Sequence, residues 1–269
     1  MKKHKLFSNL YTALVMLFLY APIIVLIVFS FNDSKSRNTW SGFTLRWYRD
    51  LFRDEEIIHA LGLTLLVALI STVFATILGT AAAIGINKMG RKMRSAIMTL
   101  NYLPMVNPDI IIGVSLMLLF TYLRIEFGVT TLLLAHITFG TPYVVLNVLP
   151  KLRTMDKHIY EAALDLGCSP LQAYFKVVIP EIMPGIVSGF MMALTMSIDD
   201  FVVSYFVNGS ASQTLPLVIY SQTRRRVTPK INALSTIIFL VVLAILLLNN
   251  IYSARKEQQL RSSNKKEGR

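Results

Sequence analysis

The chain has 269 residues, 54% of them hydrophobic and only 16% charged, with a formal net charge of +12. So little charge cannot cover so much apolar surface in a soluble protein of this length, and low charge with high aliphatic content excludes a disordered chain. The single cysteine, Cys168, excludes a disulfide framework, and His4, His59, His136 and His158 are too scattered to suggest a metal site.

A helix needs about 20 apolar residues to cross a bilayer core. Residues 10–31 carry no charge across 22 positions, which predicts a first span. That run is too long for a signal-peptide core and has no small-x-small cleavage site after it, so it reads as a retained anchor. Residues 60–86 are uncharged over 27 positions and predict a second span. Within it Ala75, Gly79 and Ala83 recur every four residues, a face of small side chains suited to close packing against another helix.

The turn that follows holds Gly85, Lys88, Gly90, Arg91 and Lys92 and superficially resembles a phosphate-binding loop. Its lysine is one place late, no Ser or Thr follows, and a membrane helix precedes it, so it reads as a basic turn. No nucleotide site is expected in this chain.

Residues 96–123 predict a third span that carries Asp109. Asn107, Pro108 and Asp109 read as a helix start inside it, with Asn107 as cap, Pro108 at the first position and Asp109 favoured by the helix dipole. Residues 127–150 predict a fourth span with His136 as a satisfied packing residue. Residues 182–208 predict a fifth, carrying Asp199 and Asp200.

Between the last two, residues 151–181 are too long and too patterned for a plain turn. Residues 155–166 predict an amphipathic helix stopped by Gly167 as its left-handed C′ residue. Ser169, Pro170 and Gln172 then form a capping box with proline at N1, opening a second short helix that ends at Pro180 and Pro184. Such a pair of small helices suits docking to a soluble partner, or rests on lipid headgroups. Arg224, Arg225 and Arg226 fall in the next loop, where they face an acidic protein surface or lipid headgroups. Residues 231–254 complete six predicted spans, and 253–269 form a polar tail.

With the N-terminus inside, inward segments hold 17 of the 27 basic residues. The positive-inside rule then puts both termini in the cytoplasm, and the charge describes orientation. It does not describe nucleic-acid binding, because the short tail has no aromatic interleaving and no recognisable module. The spans themselves are negative, through three aspartates. A carboxylate near the bilayer centre costs about 2.5–3.5 kcal/mol on insertion scales, so Asp109, Asp199 and Asp200 are candidates for a wet pathway. On an unbroken helix, neighbours such as Asp199 and Asp200 point about 100° apart and cannot both face it.

Glu161, Ala162 and Ala163, then Gly167, then Val177, Val178, Ile179 and Pro180 match the spacing of the EAA loop of type I ABC importer permeases. Val177 and Ile179 are conservative departures from that pattern. The chain as a whole resembles spermidine/putrescine permeases, most closely the PotC-type subunits, the second of two permeases in that importer. The resemblance rests on Tyr20–Ala21–Pro22, Phe31–Asn32–Asp33–Ser34, Gly42, Phe43, Thr44, Trp47, Tyr48, Pro108, Asp109, Ser197 to Ser204, Thr214 to Leu217, and Val227 to Leu234. Arg226 departs from it, standing where a glycine is expected.

The resemblance implies an all-α polytopic membrane protein with six transmembrane helices in the MetI-like permease fold. Its anchor span and first outward loop would occupy residues 1–59, its permease core 60–252 with a coupling loop at 151–181, and its cytoplasmic tail 253–269. It implies a non-catalytic subunit in the bacterial plasma membrane that moves polyamines by alternating access. A second homologous permease, two ATPase subunits and an extracytoplasmic polyamine-binding protein would be its partners. No cofactor is expected in this chain, ATP and magnesium being bound by the ATPase.

Glu161, Ala162, Ala163, Gly167 and Pro180 would couple to the ATPase. Asp109, Asp199 and Asp200 would meet the ammonium groups of the cargo, with Tyr102, Phe201 and Tyr205 supplying aromatic faces. Other cargo (an iron chelate, a phosphonate, thiamine) and a stand-alone secondary transporter are the alternatives. A membrane enzyme is disfavoured, because no nucleophile–base or metal constellation is visible.

Overall fold

A computed structural model describes residues 2–34, 39–225, 229–240 and 243. The second half of the sixth predicted span, the tail, Arg226, Val227 and Thr228 lie outside the described residues. Helices dominate. Among the described residues the only strand-like feature is one bridge between Asn32 and Phe43. The chain separates into two compact units, residues 56–218 and residues 1–55 with 219–269.

In the second of these units, α1 (Lys2–Ser30) is apolar around its whole circumference, and no residue of its spanning window is buried. A helix that is apolar on all sides belongs in hydrocarbon or inside a larger assembly. After it the chain folds back around one buried side chain. Asn32 Nδ2 donates to Thr39 O at 2.8 Å, and its Oδ1 accepts from Ser41 N at 2.9 Å. Trp47, on the short helix α2 (Arg46–Phe52), donates its indole N–H to Asn32 O at 2.7 Å. Phe31 stacks on Phe43 at 5.3 Å, and Tyr48 Oη shares a 2.7 Å hydrogen bond with Ser30. The motif residues around positions 31 and 43–48 are therefore one hydrogen-bonded knot. Asp54 pairs with Lys230, at the start of the apolar helix α12 (Pro229–Leu240).

The other unit holds α3 (Glu55–Lys88), α4 (Arg91–Val106), α5 (Asp109–Tyr122), α6 (Val129–Thr154) and α7 (Lys157–Asp165). It continues with α8 (Pro170–Ala173), a π turn (Tyr174–Val178), α9 (Ile179–Asp199) and α10 (Val202–Val207), and the chain then enters α11 (Leu215–Arg225). Four helical stretches are long and apolar enough to cross a bilayer: α1, α3, α6 and Pro170–Asp199. Helices α4 and α5, bent by 103° at a short break, are apolar enough to make a fifth when the pair is counted as one span. The third predicted span is thus broken. Arg224 and Arg225, expected in a loop, close α11.

Helix α6 is central. A β-carbon built on Gly79 would lie 2.6 Å from Val144 Cβ, and one on Gly189 would lie 3.0 Å from Val144 Cα. Ala75, Gly79 and Ala83 are all buried, so the small face of α3 packs as expected, and Gly185 and Gly189 of α9 also approach α6 closely. With lipid as solvent, such close approach is what holds helices together. Gly79→Ala should overpack this contact by about 1–3 kcal/mol. A clear fall in the thermal midpoint of the detergent-solubilised protein would show it. Gly85→Ala is the control, because nothing lies within 4 Å of its added carbon.

Candidate functional site

Two helix breaks build the first site. At Asn107 and Pro108 the backbone is extended (ψ 142° and 137°), as expected for the residue before a proline and a proline that ends a helix. Asn107 does not cap α5 and Pro108 is not its first residue. Asn107 N donates to Leu103 O at 3.1 Å and so closes α4, leaving Pro108 at the N-cap and Asp109 as first residue. The start of α5 thus falls one residue later than expected.

The second break falls inside the fifth predicted span. Asp200 is extended (ψ 120°), α9 ends at Asp199, and α10 starts again at Val202. The Asp200 carboxylate holds this turn. It accepts from Val203 N at 3.2 Å, Ser204 N at 2.7 Å and Ser204 Oγ at 2.7 Å. With the helix broken there, the 100° rule no longer separates the two aspartates.

Both breaks open on one cavity of about 250 Å³, lined by Asp109, Asp199, Asp200, Phe201, Phe139, Tyr143 and neighbouring apolar residues. Asp109 and Asp199 are exposed, while the Asp200 side chain is only 9% accessible. Tyr102 is half-exposed outside the lining. Tyr205 is also outside it, with its ring 5.8 Å from that of Phe201. Tyr143 and Phe139 come from α6 instead. The sequence offered no signal for them, since they lie in an unbroken apolar run. The site gathers three carboxylates and three rings, a constellation suited to an organic cation.

His136 is a buried, satisfied residue, as expected, and its partners belong to this site. Nδ1 lies 2.5 Å from Ser197 Oγ and Nε2 lies 3.1 Å from Ser204 Oγ. Nε2 is also 3.6 Å from Asp200 Oδ2.

The second site is the segment between α6 and α9. The first small helix is slightly shorter than residues 155–166 because Asp156 caps it, accepting from His158 N at 3.0 Å. It ends in a Schellman motif. Gly167 has φ +86°, Gly167 N bonds Leu164 O at 2.9 Å, and Cys168 N bonds Ala163 O at 3.0 Å. The capping box is present in both directions, Gln172 N to Ser169 Oγ and Ser169 N to Gln172 Oε1.

The helix that follows does not stop at Pro180 or Pro184. It runs on through the π turn into α9, giving a continuous 30-residue helix from Pro170 to Asp199. Ile179 N reaches back to Tyr174 O, and this wider turn makes room for the Pro180 ring at the start of α9. Glu161, Ala162, Gly167 and Pro180 are exposed, whereas Ala163 is buried. Glu161 lies 3.4 Å from His158, and the apolar Leu166, Leu171 and Phe175 of the same segment are exposed. Behind α7, Lys88, Arg94, Arg153, Tyr160, Glu161 and Tyr174 line a pocket of about 340 Å³.

A polytopic helical chain whose apolar helices break at Asn107–Pro108 and at Asp200, with a capped helix pair ahead of the second break, has the build of a membrane permease subunit. The chain belongs to the family of binding-protein-dependent transport system inner membrane components, whose pattern matches residues 75–258. It is a multi-pass protein of the plasma membrane, of the ABC importer permease class. The putrescine transport system permease protein PotI of Escherichia coli (strain K12) is 41% identical over 249 residues, covering 90% of this chain and 89% of that one. The spermidine/putrescine transport system permease protein PotC of Haemophilus influenzae is 36% identical over 247 residues, covering 92% and 96%.

The fold is also that of a crystal structure of a bacterial ABC transporter involved in the import of the acidic polysaccharide alginate. That match has a TM-score of 0.70 and 19% identity, and covers 94% of this chain and 96% of that one. A related structure contains the alginate transporter with an alginate pentasaccharide-bound periplasmic protein (TM-score 0.68, 19% identity, 92% of each chain).

Proposed function

We propose that this chain is one of two permease subunits of an ATP-driven importer and carries polyamines, putrescine or spermidine, inward by alternating access. One observation carries the reading. Asp109, Asp199 and Asp200, from two helix breaks, line a single cavity with aromatic walls. An extended alkyl chain with an ammonium at each end fits separated carboxylates and ring faces. The names of the relatives agree, since putrescine occurs in both.

The exposed Glu161, Ala162 and apolar rim of the α7–α8 pair support docking to an ATPase, of which the complex would hold two. ATP and magnesium would bind there, and an extracytoplasmic binding protein would deliver the cargo. The basic residues flanking the spans support cytoplasmic N- and C-termini. On this reading Asp109, Asp199, Asp200 and Phe201 face the pathway, with Tyr102 and Tyr205 beside it. Glu161, Ala162, Ala163, Gly167 and Pro180 serve the coupling contact. Residues 1–59, 60–252 and 253–269 are the anchor, core and tail.

The test is uptake of labelled putrescine by cells expressing the complete importer, challenged with unlabelled spermidine, thiamine, a phosphonate and an iron chelate. Competition by the polyamine alone, and loss of uptake with an inactive ATPase, are expected. Competition by another compound, or uptake that follows an ion gradient without the ATPase, would overturn the reading.

A further inference from the structure

His136 is a buried titratable residue that the transport reading leaves unused, and its surroundings give it a direction. Its side chain is 1% accessible and sits where four helices meet. Ser71 of α3 and Ser197 of α9 lie on one side of the ring, and Ser204 of α10 on the other. Ser204 spends its hydroxyl proton on Asp200 Oδ2 at 2.7 Å, so Ser204 Oγ can only accept from the ring. This assigns the imidazole proton to Nε2 and leaves Nδ1 to accept from Ser197. Ser197 Oγ also lies 3.3 Å from Ser71 Oγ, whose own hydroxyl donates to Ala68 O at 3.3 Å. Every donor in the row Ser197, His136, Ser204 therefore points toward the Asp200 carboxylate. Hydrogen bonds aligned in this way polarise one another in a low dielectric.

We propose that His136 is a positioning residue for the cargo cation: through Ser204 it holds the Asp200 carboxylate in its cavity-facing orientation and strengthens it as an acceptor. The inference rests on the reading that Asp200 meets a cationic cargo. A neutral imidazole suits this role better than a lysine or arginine. A fixed cation would pair with the carboxylate and displace the cargo, whereas a neutral Nε2–H donor leaves the charge of Asp200 for the ligand.

The experiment is a double-mutant cycle on the full importer, read as initial uptake of labelled putrescine, with complex assembly measured in parallel. His136→Leu should slow uptake about tenfold, the scale of one lost hydrogen bond in a charged network. His136→Gln, which can donate to Ser204 and accept from Ser197, should recover most of it. In an Asp200→Asn background, His136→Leu should add no further loss, because the group it positions is already gone. An equal loss in that background, or full uptake by His136→Leu alone, would overturn the inference while leaving the transport reading intact. Wild-type uptake by Asp200→Asn itself would remove Asp200 from the pathway, and the inference would fall with it. Should His136→Leu fail to assemble, Ser204→Ala completes the same cycle with the same expected non-additivity.

Discussion

Asp200→Asn is expected to lower polyamine uptake by about one to two orders of magnitude, with assembly of the complex retained. Asparagine caps helices about as well as aspartate, so its side-chain oxygen can still accept from Ser204 N in the place of Oδ2, and the break before α10 should persist. What disappears is the charge. A charge-assisted hydrogen bond is roughly twice as strong as a neutral one, and an ammonium led into a partly enclosed cavity must recover the hydration it gives up. Asp199→Asn should cost less, about three- to tenfold, because Asp199 is exposed and retains more solvent around its charge. Initial uptake rates at saturating binding protein measure both variants. Wild-type transport in both would remove the carboxylate pair from the pathway.

Gly167→Val should break the link between ATP hydrolysis and transport. At φ +86° the backbone is in the left-handed region, where a β-branched residue costs about 1–3 kcal/mol. The Schellman bonds of Gly167 and Cys168 would give way, and with them the fixed spacing between α7 and the capping box at Ser169. Copurification of the ATPase should fall, or its hydrolysis should continue without putrescine uptake. Gly167→Asn is the informative companion, since asparagine tolerates the left-handed conformation and should keep most coupling. Unchanged copurification and coupling in the valine variant would show that the α7–α8 pair is not the docking element.

The parts of the fold that could be read along the chain share one property: their causes are local. Residues 10–31 and 60–86 cross a bilayer because each run is long and uncharged, whatever surrounds it. The stop at Gly167 and the box at Ser169 and Gln172 depend on residues within a few positions, and the structure keeps both. Pro180 and Pro184 read as an end to the second small helix for the same local reason. The helix runs on past both: the π turn at Tyr174–Val178 accommodates the Pro180 ring, nothing at position 180 announces that turn, and α9 carries Pro184 inside it. Asn107 is similar. Its capping preference is legible, but in the structure it closes α4 and Pro108 stands at the N-cap of α5.

The candidate site divides along the same line. Its acids were visible because charge in a membrane run is costly and therefore conspicuous. Its rings were not. Phe201 neighbours an acid and was found, whereas Tyr143 and Phe139 reach the cavity from another helix. Tyr102, close to Asp109 in sequence, lies outside the lining. The partnership of His136 with Asp200 spans 64 positions and was legible only as a histidine whose polar ring needs partners.

By itself, then, the amino-acid sequence determined that this chain lives in a bilayer, roughly where it crosses, which spans carry charge, and where the first connecting helix ends and the second begins. Bilayer insertion and helix capping act over a few to some twenty residues, so those properties are written contiguously. Only the tertiary structure decided that Asp109 shares a cavity with Asp199 and Asp200, and that His136 stands behind one of them. That meeting is set by how closely α3 and α9 approach α6 at glycines such as Gly79 and Gly189, and by two breaks that turn the acids toward one space. Close packing is a property of pairs of helices far apart in the chain, and no single stretch of sequence encodes it.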